Sequence, residues 1–339
     1  MGIKNKIILV TGGAGFIGSH IVDAMIKHNC EKVIVYDNFS TGDVRNLKNA
    51  KESNKLKIIK ADILDLKRLK DVIKQEGVDI ISHHAAELEV FTGIMNPLKD
   101  METNIKGTLN VLLASMDSPV QKIIYASSGA IYGQAFYLPE DENHPLEPHW
   151  PYGVSKLAGE KYCSMFHKLH SLPVVMLRYS IVYGPREWYG RVLTLFIKRV
   201  LRNKPPIIFG DGEQTRDFIY ISDVVDANIA AMYKKNANGK AFNIGSGTRT
   251  SIKDLANIVI KCANKKIRPI FDNPKEGKAS KFQPTRKRLI GELRNFVMNI
   301  NYAKKVLGFK PKISLEYGIK QEINWVINNP DAWKTIPRV

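Results

Sequence analysis

The stretch IILVTGGAGFIGSHIVDAM, residues 7–25, holds three kinds of local structure in succession. Ile7 to Val10 is a short β-branched and aliphatic run, the composition of a buried strand. Gly12, Gly15 and Gly18 then fall at GxxGxxG spacing, and the apolar residues after them recur at helical intervals. Strand, glycine turn and helix in that order form the cradle in which backbone amides and a helix N-terminus meet a pyrophosphate. Glycine allows both the tight turn and the close approach. A glycine motif alone says little; its strand and helix context gives it weight.

Working outward, the pattern repeats. EKVIVYDN (31–38), LKIIKADI (56–63), VDIISHHAA (78–86) and VQKIIYASS (120–128) are strand-like. LKRLKDVIKQEG (66–77), NIKGTLNVLLASM (104–116) and YGVSKLAGEKYCSMFHKLH (152–170) have helical spacing. Strands rich in Ile and Val that alternate with helices predict a parallel sheet covered on both faces. LPVVMLRYSIVYGP (172–185) adds another strand, and beyond about residue 185 the regularity loosens. The expectation is an α/β chain: a Rossmann-type doubly wound parallel sheet over residues 1–180, and a smaller mixed α/β substrate lobe over 181–339. Some segments of the second half are expected to return to the sheet.

Composition narrows the function classes. At 339 residues and 44% hydrophobic content the chain can bury a sizeable core. No apolar run is long enough for a membrane span and no secretory signal is visible, so a cytoplasmic protein is expected. Three scattered cysteines, Cys30, Cys163 and Cys262, support neither a disulfide framework nor a metal cluster. The net charge of +18 is concentrated in part over Lys265–Arg294, with ten basic and three acidic residues. Solvated lysines together with a small anionic ligand account for it better than nucleic acid does.

Asp37 ends the second strand, 19 positions after Gly18. A carboxylate there hydrogen-bonds an adenosine ribose, and a 2′-phosphate would meet like charge, so NAD is expected rather than NADP. Asp62, after the third strand, comes within reach of the adenine end, with Ile63 beside it.

TGGAGFIGS, DNFSTG, HHAA, SSGAIYG, YGVSK, RYSIVYGPR and RDFIYISD occur in this order. With them the chain resembles the extended short-chain dehydrogenase/reductases, and among these the NAD-dependent nucleotide-sugar epimerases and dehydratases, from about residue 6 to residue 325. The resemblance implies further cofactor contacts at Phe16, Ile17, Asn38, Ser40, Thr41, Ala85, Ala86, Asn104 (at the start of its helix), Ser127 and Tyr179. It implies a catalytic set of Ser128, Tyr152 and Lys156, with Ser128 and Tyr152 also touching substrate. Tyr152 and Lys156 stand one helical turn apart and so share a face. A phenol with an ordinary pKa near 10 must be acidified to act as a base near neutrality. Lys156 and the nicotinamide ring are expected to do that.

The dehydratases of the family carry an Asp–Glu pair after the Ser/Thr, and related decarboxylases carry a Glu there. Here the residues are Gly129 and Ala130, which move no protons. The expectation is therefore a nucleotide-sugar 4-epimerase, UDP-glucose/UDP-galactose type. The alternatives are an epimerase of another nucleotide sugar such as a UDP-uronate, a nucleotide-sugar dehydratase or reductase, and, outside enzymes, an NAD-bound regulatory or RNA-binding relative. Arg216 is expected on the substrate diphosphate, against a structural alternative in which it pairs with Asp217 or Asp223. Arg288 or Arg294 is expected as a second arginine, and Trp188 as a stacking or lobe-packing residue. Ile181 departs from the family's Asn, and the double histidine His83–His84 is taken as structural. By resemblance the protein is expected to be a homodimer, through a four-helix bundle built from the helices beginning near Asn104 and Tyr152.

Overall fold

The computed structural model describes residues 3–88, 90–187 and 190–333. Six parallel strands come from the first part of the chain: β1 (Ile7–Thr11), β2 (Lys32–Asp37), β3 (Leu56–Lys60), β4 (Ile80–His83), β5 (Lys122–Ser128) and β6 (Val174–Tyr179). They lie in the order β6-β5-β4-β1-β2-β3, and a seventh strand, Ala241–Ile244, pairs in parallel with the outer edge of β6. This is the doubly wound Rossmann arrangement. Strand order reverses between β1 and β4, and the crevice above that point opens at the strands' carboxyl ends. Leu9, Ile34, Ile81, Ile124 and Leu177 have no exposure at all, as expected for strands covered on both faces.

Each helix is set by local signals. Helix α1 (Phe16–Lys27) starts directly from the glycine turn, with Gly15 as its N-cap. The helix Leu66–Glu76 is capped by the Asp65 carboxylate, which accepts from Arg68 N, and closes on Gly77 at φ +64°. Pro151 occupies the first turn of the helix Pro151–His170, where its missing N–H costs nothing.

One boundary differs from expectation. The helix expected to begin near Asn104 begins instead at Pro97, where the Asn96 side chain accepts from Lys99 N, and it runs to Met116 through a π-turn at Glu102–Lys106. The proline start and asparagine cap mark the true N-terminus, whereas Asn104 sits inside the π-turn. Ala85 and Ala86 likewise come after β4 rather than end it.

The second half of the chain has its own core, in which Phe196, Leu255, Val259 and Ile319 are wholly buried. It also packs back on the first half. The helix Ile221–Tyr233 lies against α1 and β5, and the returning strand Ala241–Ile244 completes the sheet. Among the described residues, no helix is long and apolar enough to cross a membrane, and no group of three or more His, Cys, Asp or Glu could hold a metal ion.

Candidate active site

Between the sheet's carboxyl edge and the second half lies a cleft of about 490 Å3. Its floor is the glycine turn. Gly12 adopts φ +66°, and a Cβ there would stand 2.7 Å from Ala85 N; a Cβ on Gly18 would run into the Gly12 carbonyl. No side chain caps the first turn of α1 and no acidic residue stands in it, so the helix N-terminus faces the cleft with its positive end uncompensated.

Asp37 is 7% exposed at the tip of β2, its oxygens held by Ala14 N (2.9 Å) and Phe39 N (2.8 Å). Asp62 accepts from Asn38 Nδ2 (2.7 Å) and Leu64 N (2.9 Å) and borders the same end. Gly15, Phe16, Ile17, Ser40, Thr41, Ile63, Ala85, Ala86, Ser127 and Tyr179 also line the cleft. Asn104 does not. Its amide is spent inside the protein, accepting from Glu87 N and donating to Glu87 O, Asp100 Oδ2 and Ser155 Oγ, so it anchors the segment after β4.

Ser128, Tyr152 and Lys156 converge on the cleft wall, Ser128 from the end of β5 and the other two from the first turns of Pro151–His170. Ser128 Oγ accepts from Ala130 N (3.1 Å), and its hydroxyl also reaches the Tyr152 phenol. Burial pushes that phenol's pKa up. The Arg191 guanidinium and then Ser128 pull it back, while Asp100 pushes it further up. Arg191 is thus a further cation acting on the phenol, one to which the sequence reading gave no such role.

Lys156 is 4% exposed, with its ammonium 5.0 Å from the centre of the Tyr125 ring. Burial lowers its pKa to about 8, against the opposing pull of Asp100. His83 bridges Thr11 Oγ1 (2.7 Å) and Thr108 Oγ1 (3.0 Å). His84 meets Ser82 Oγ at 2.9 Å and lies parallel to the Tyr179 ring. Burial and the Lys156 charge hold both imidazoles far below the usual histidine range.

On the substrate side, Arg216 borders the cleft, donating to Thr215 O and standing 3.7 Å from Glu292. Its alternative partner Asp217 is occupied elsewhere, accepting from Ser246 N, Ser246 Oγ, Gly247 N and Met298 N. Asp223 accepts from Lys312 N and Ile313 N.

Neither expected late arginine lines this cleft. Arg294 makes a two-pronged ion pair with Asp211 at the surface, and Arg288 turns to Asn273 and Glu292, both beside a separate small pocket. The arginine that does line it is Arg286, stacked 4.2 Å from the Phe209 ring centre, with Nη1 donating to Ile207 O. All three arginines fall within RKRLIGELR, and only the packing against Phe209 selects between them. Glu187, which also lines the cleft, was not singled out from the sequence either. Ile181 lines the cleft, and Trp188 lies outside the described residues.

The family model for the NAD dependent epimerase/dehydratase family matches residues 8–245. The chain belongs to that family. Members of the NAD dependent epimerase/dehydratase family match along nearly the whole chain. A Methanocaldococcus jannaschii protein, provisionally named a UDP-glucose 4-epimerase, is 41% identical over 326 residues, 95% of this chain and 99% of its own. The structure of Thermotoga maritima UDP-glucose 4-epimerase with UDP-glucose shares 35% identity and a TM-score of 0.86, over 96% of this chain and 99% of that one. The structure of Bacillus cereus UDP-glucuronic acid 4-epimerase with UDP-glucuronic acid and NAD shares 32% identity and a TM-score of 0.85, over 95% and 99%.

The cofactor that gives the family its name fits the residues present. The glycine turn can fold this tightly against its own backbone only because Cβ atoms are missing, which leaves the α1 N-terminus open to a pyrophosphate, and Asp37 supplies a held carboxylate at the ribose end.

Proposed function

We propose that the chain is an NAD-dependent nucleotide-sugar 4-epimerase of the UDP-glucose/UDP-galactose type. One observation carries this reading. Ser128, Tyr152 and Lys156 meet beside the dinucleotide cradle, while the next two wall positions, Gly129 and Ala130, have no group that moves a proton.

Glycine-turn residues, the α1 N-terminus, Asp37 and Asp62 would hold NAD, and Lys156 and Tyr179 would flank its nicotinamide end. NAD supplies reversible hydride acceptance at the sugar carbon, so no net redox change accumulates. Tyr152 takes the proton of the sugar O4 and returns it after the ring has presented its other face. Ser128 hydrogen-bonds the same oxygen and fixes its direction. Lys156 and Arg191 place positive charge near the phenol, favouring the phenolate that burial opposes. Arg216 and Arg286 would grip the diphosphate, with guanidinium forks matched to phosphate oxygens.

The test is direct. Purified protein incubated with UDP-glucose or UDP-galactose should give a mixture of the two by mass-resolved chromatography and NMR, with no build-up of absorbance from reduced nicotinamide. Steady reduction of added NAD, or a 4-keto-6-deoxy product, would reject the reading.

A second reading, a UDP-uronate substrate, is favoured by Arg191, a cation acting on the Tyr152 phenol at the sugar end of the cleft. A carboxylate on the sugar would share that guanidinium with Glu187, which lines the same cleft and already feels its charge. Turnover of UDP-glucuronate faster than UDP-glucose decides between the two.

The protein is also proposed to be a cytoplasmic homodimer. Leu98, Met101, Leu113 and Met116 on Pro97–Met116, and Val154, Met165 and Leu169 on Pro151–His170, are exposed apolar side chains on two packed helices. A second copy of the same pair would cover them.

A further inference from the structure

The space over the Gly129 Cα is already taken. A Cβ built there would run into the edge of the Phe296 ring and would stand 2.6 Å from Met298 Cε and 2.9 Å from Phe296 Cε2. No residue larger than glycine fits unless both side chains move. Phe296 lines the cleft and Met298 backs it, 1% exposed.

Both side chains belong to a short strap, residues 296–299, that two buried carboxylates from distant parts of the chain hold in place. Glu140 N donates to Val297 O (2.9 Å), Val297 N to Glu140 Oε2 (3.0 Å) and Asn299 N to Glu140 O (2.7 Å). Met298 N donates to Asp217 Oδ2 at 3.2 Å. Glu140 and Asp217 are both without exposure.

The chemistry of the sugar gives this packing a consequence. Once C4 is a ketone, the hydrogens on the flanking ring carbons are acidic. Breaking such a C–H bond sends its electron pair into an enolate and its proton to a base. The enolate then takes back a proton from solvent, or expels a hydroxide from the next carbon, with loss of water overall. Each outcome needs a carboxylate or a water molecule beside the wall that carries Ser128.

We propose that the strap 296–299 is a reaction-specificity element. Phe296 and Met298 fill the place where such a proton carrier would stand, and so confine the chemistry to one carbon. The inference rests on the epimerase reading and goes beyond it: the fate of the ketone is decided by an apolar plug supplied from the far end of the chain.

Turnover in D2O tests it, with UDP-glucose or whichever nucleotide sugar the protein epimerises. Ring-carbon deuterium is read by NMR and mass spectrometry. The unaltered protein should interconvert the sugars with no deuterium at the carbons flanking C4. Phe296→Ala and Met298→Ala should raise deuterium per turnover at least tenfold, with Phe296→Leu in between.

Folding provides a second readout. Gly129→Asp should lower the unfolding midpoint sharply, and adding Phe296→Ala should recover a large part of that loss. Folded variants that turn over with no more exchange than the unaltered protein would overturn the inference, as would an unaltered protein that already exchanges. Additive unfolding effects of Gly129→Asp and Phe296→Ala would also overturn it. If the unaltered protein epimerises no nucleotide sugar, the functional reading fails, and with it the reaction this plug is said to restrict.

Discussion

Tyr152 and Lys156 are each displaced toward the neutral form by burial, and that sets what the pair can do. Tyr152→Phe keeps the ring and removes the acid–base group, so kcat should fall by roughly a hundred- to ten-thousand-fold with the fold intact, as judged by circular dichroism and cofactor content. Lys156, with its pKa near 8, holds its charge in the acid and neutral range and loses it as pH rises through that value. Initial rates should accordingly show an alkaline limb centred near pH 8, and in Lys156→Arg the residual activity should lose that limb, because guanidinium does not titrate there. Stability runs the other way. Between about pH 8 and the unfolded value near 10.5, the unfolded chain binds the proton that the folded chain has released. This one group therefore makes the protein more stable as pH rises across that window, which denaturant titrations of Lys156→Met against the unaltered protein can isolate. Both residues could be named from the sequence because YGVSK carries their spacing. The influence of Arg191 on the phenol could not be read there, because Arg191 stands 35 positions beyond Lys156 and comes near only through the fold.

The strand–turn–helix at residues 7–27 was legible because each of its glycines has a steric reason local to the turn. Gly18→Ala would press a methyl group into the Gly12 carbonyl. The variant should therefore be isolated without bound dinucleotide and with a lowered unfolding midpoint, measurable by absorbance of an acid extract and by thermal melting. The late arginines were the opposite case. RKRLIGELR offers several cations in a segment with little regular structure, and no periodicity says which one turns inward. The Phe209 ring captures Arg286, while Asp211 draws Arg294 to the surface. Charge-assisted hydrogen bonds contribute about 1.5–3 kcal/mol. Arg286→Ala should therefore raise KM for the nucleotide sugar by roughly ten- to a hundredfold. Arg288→Ala, facing the neighbouring pocket, should change it by less than about threefold. The helix misplaced at Asn104 has a similar physical cause. A π-turn breaks the 3.6-residue repeat just where a single apolar period would be drawn, and the cap lies further upstream at Asn96.

Over the whole molecule, the alternation of strands and helices was enough to give the parallel sheet and its helical layers, since that pattern is written residue by residue. How two copies would meet is not written that way, because the exposed apolar side chains of Pro97–Met116 and Pro151–His170 look in sequence like any helix interior. Placing Glu at both Leu98 and Leu169, 69% exposed each, should leave the fold intact and convert a dimer to a monomer in sedimentation velocity. The seventh strand carries a different lesson. Because Ala241–Ile244 closes the ladder beside β6, a growing polypeptide that has just left the ribosome through Tyr179 presents a bare row of amides and carbonyls. Nothing later in the chain can cover that row until synthesis has passed Ile244. Pauses or truncations in between would release a sticky half-finished sheet, the kind of nascent species that holding chaperones bind.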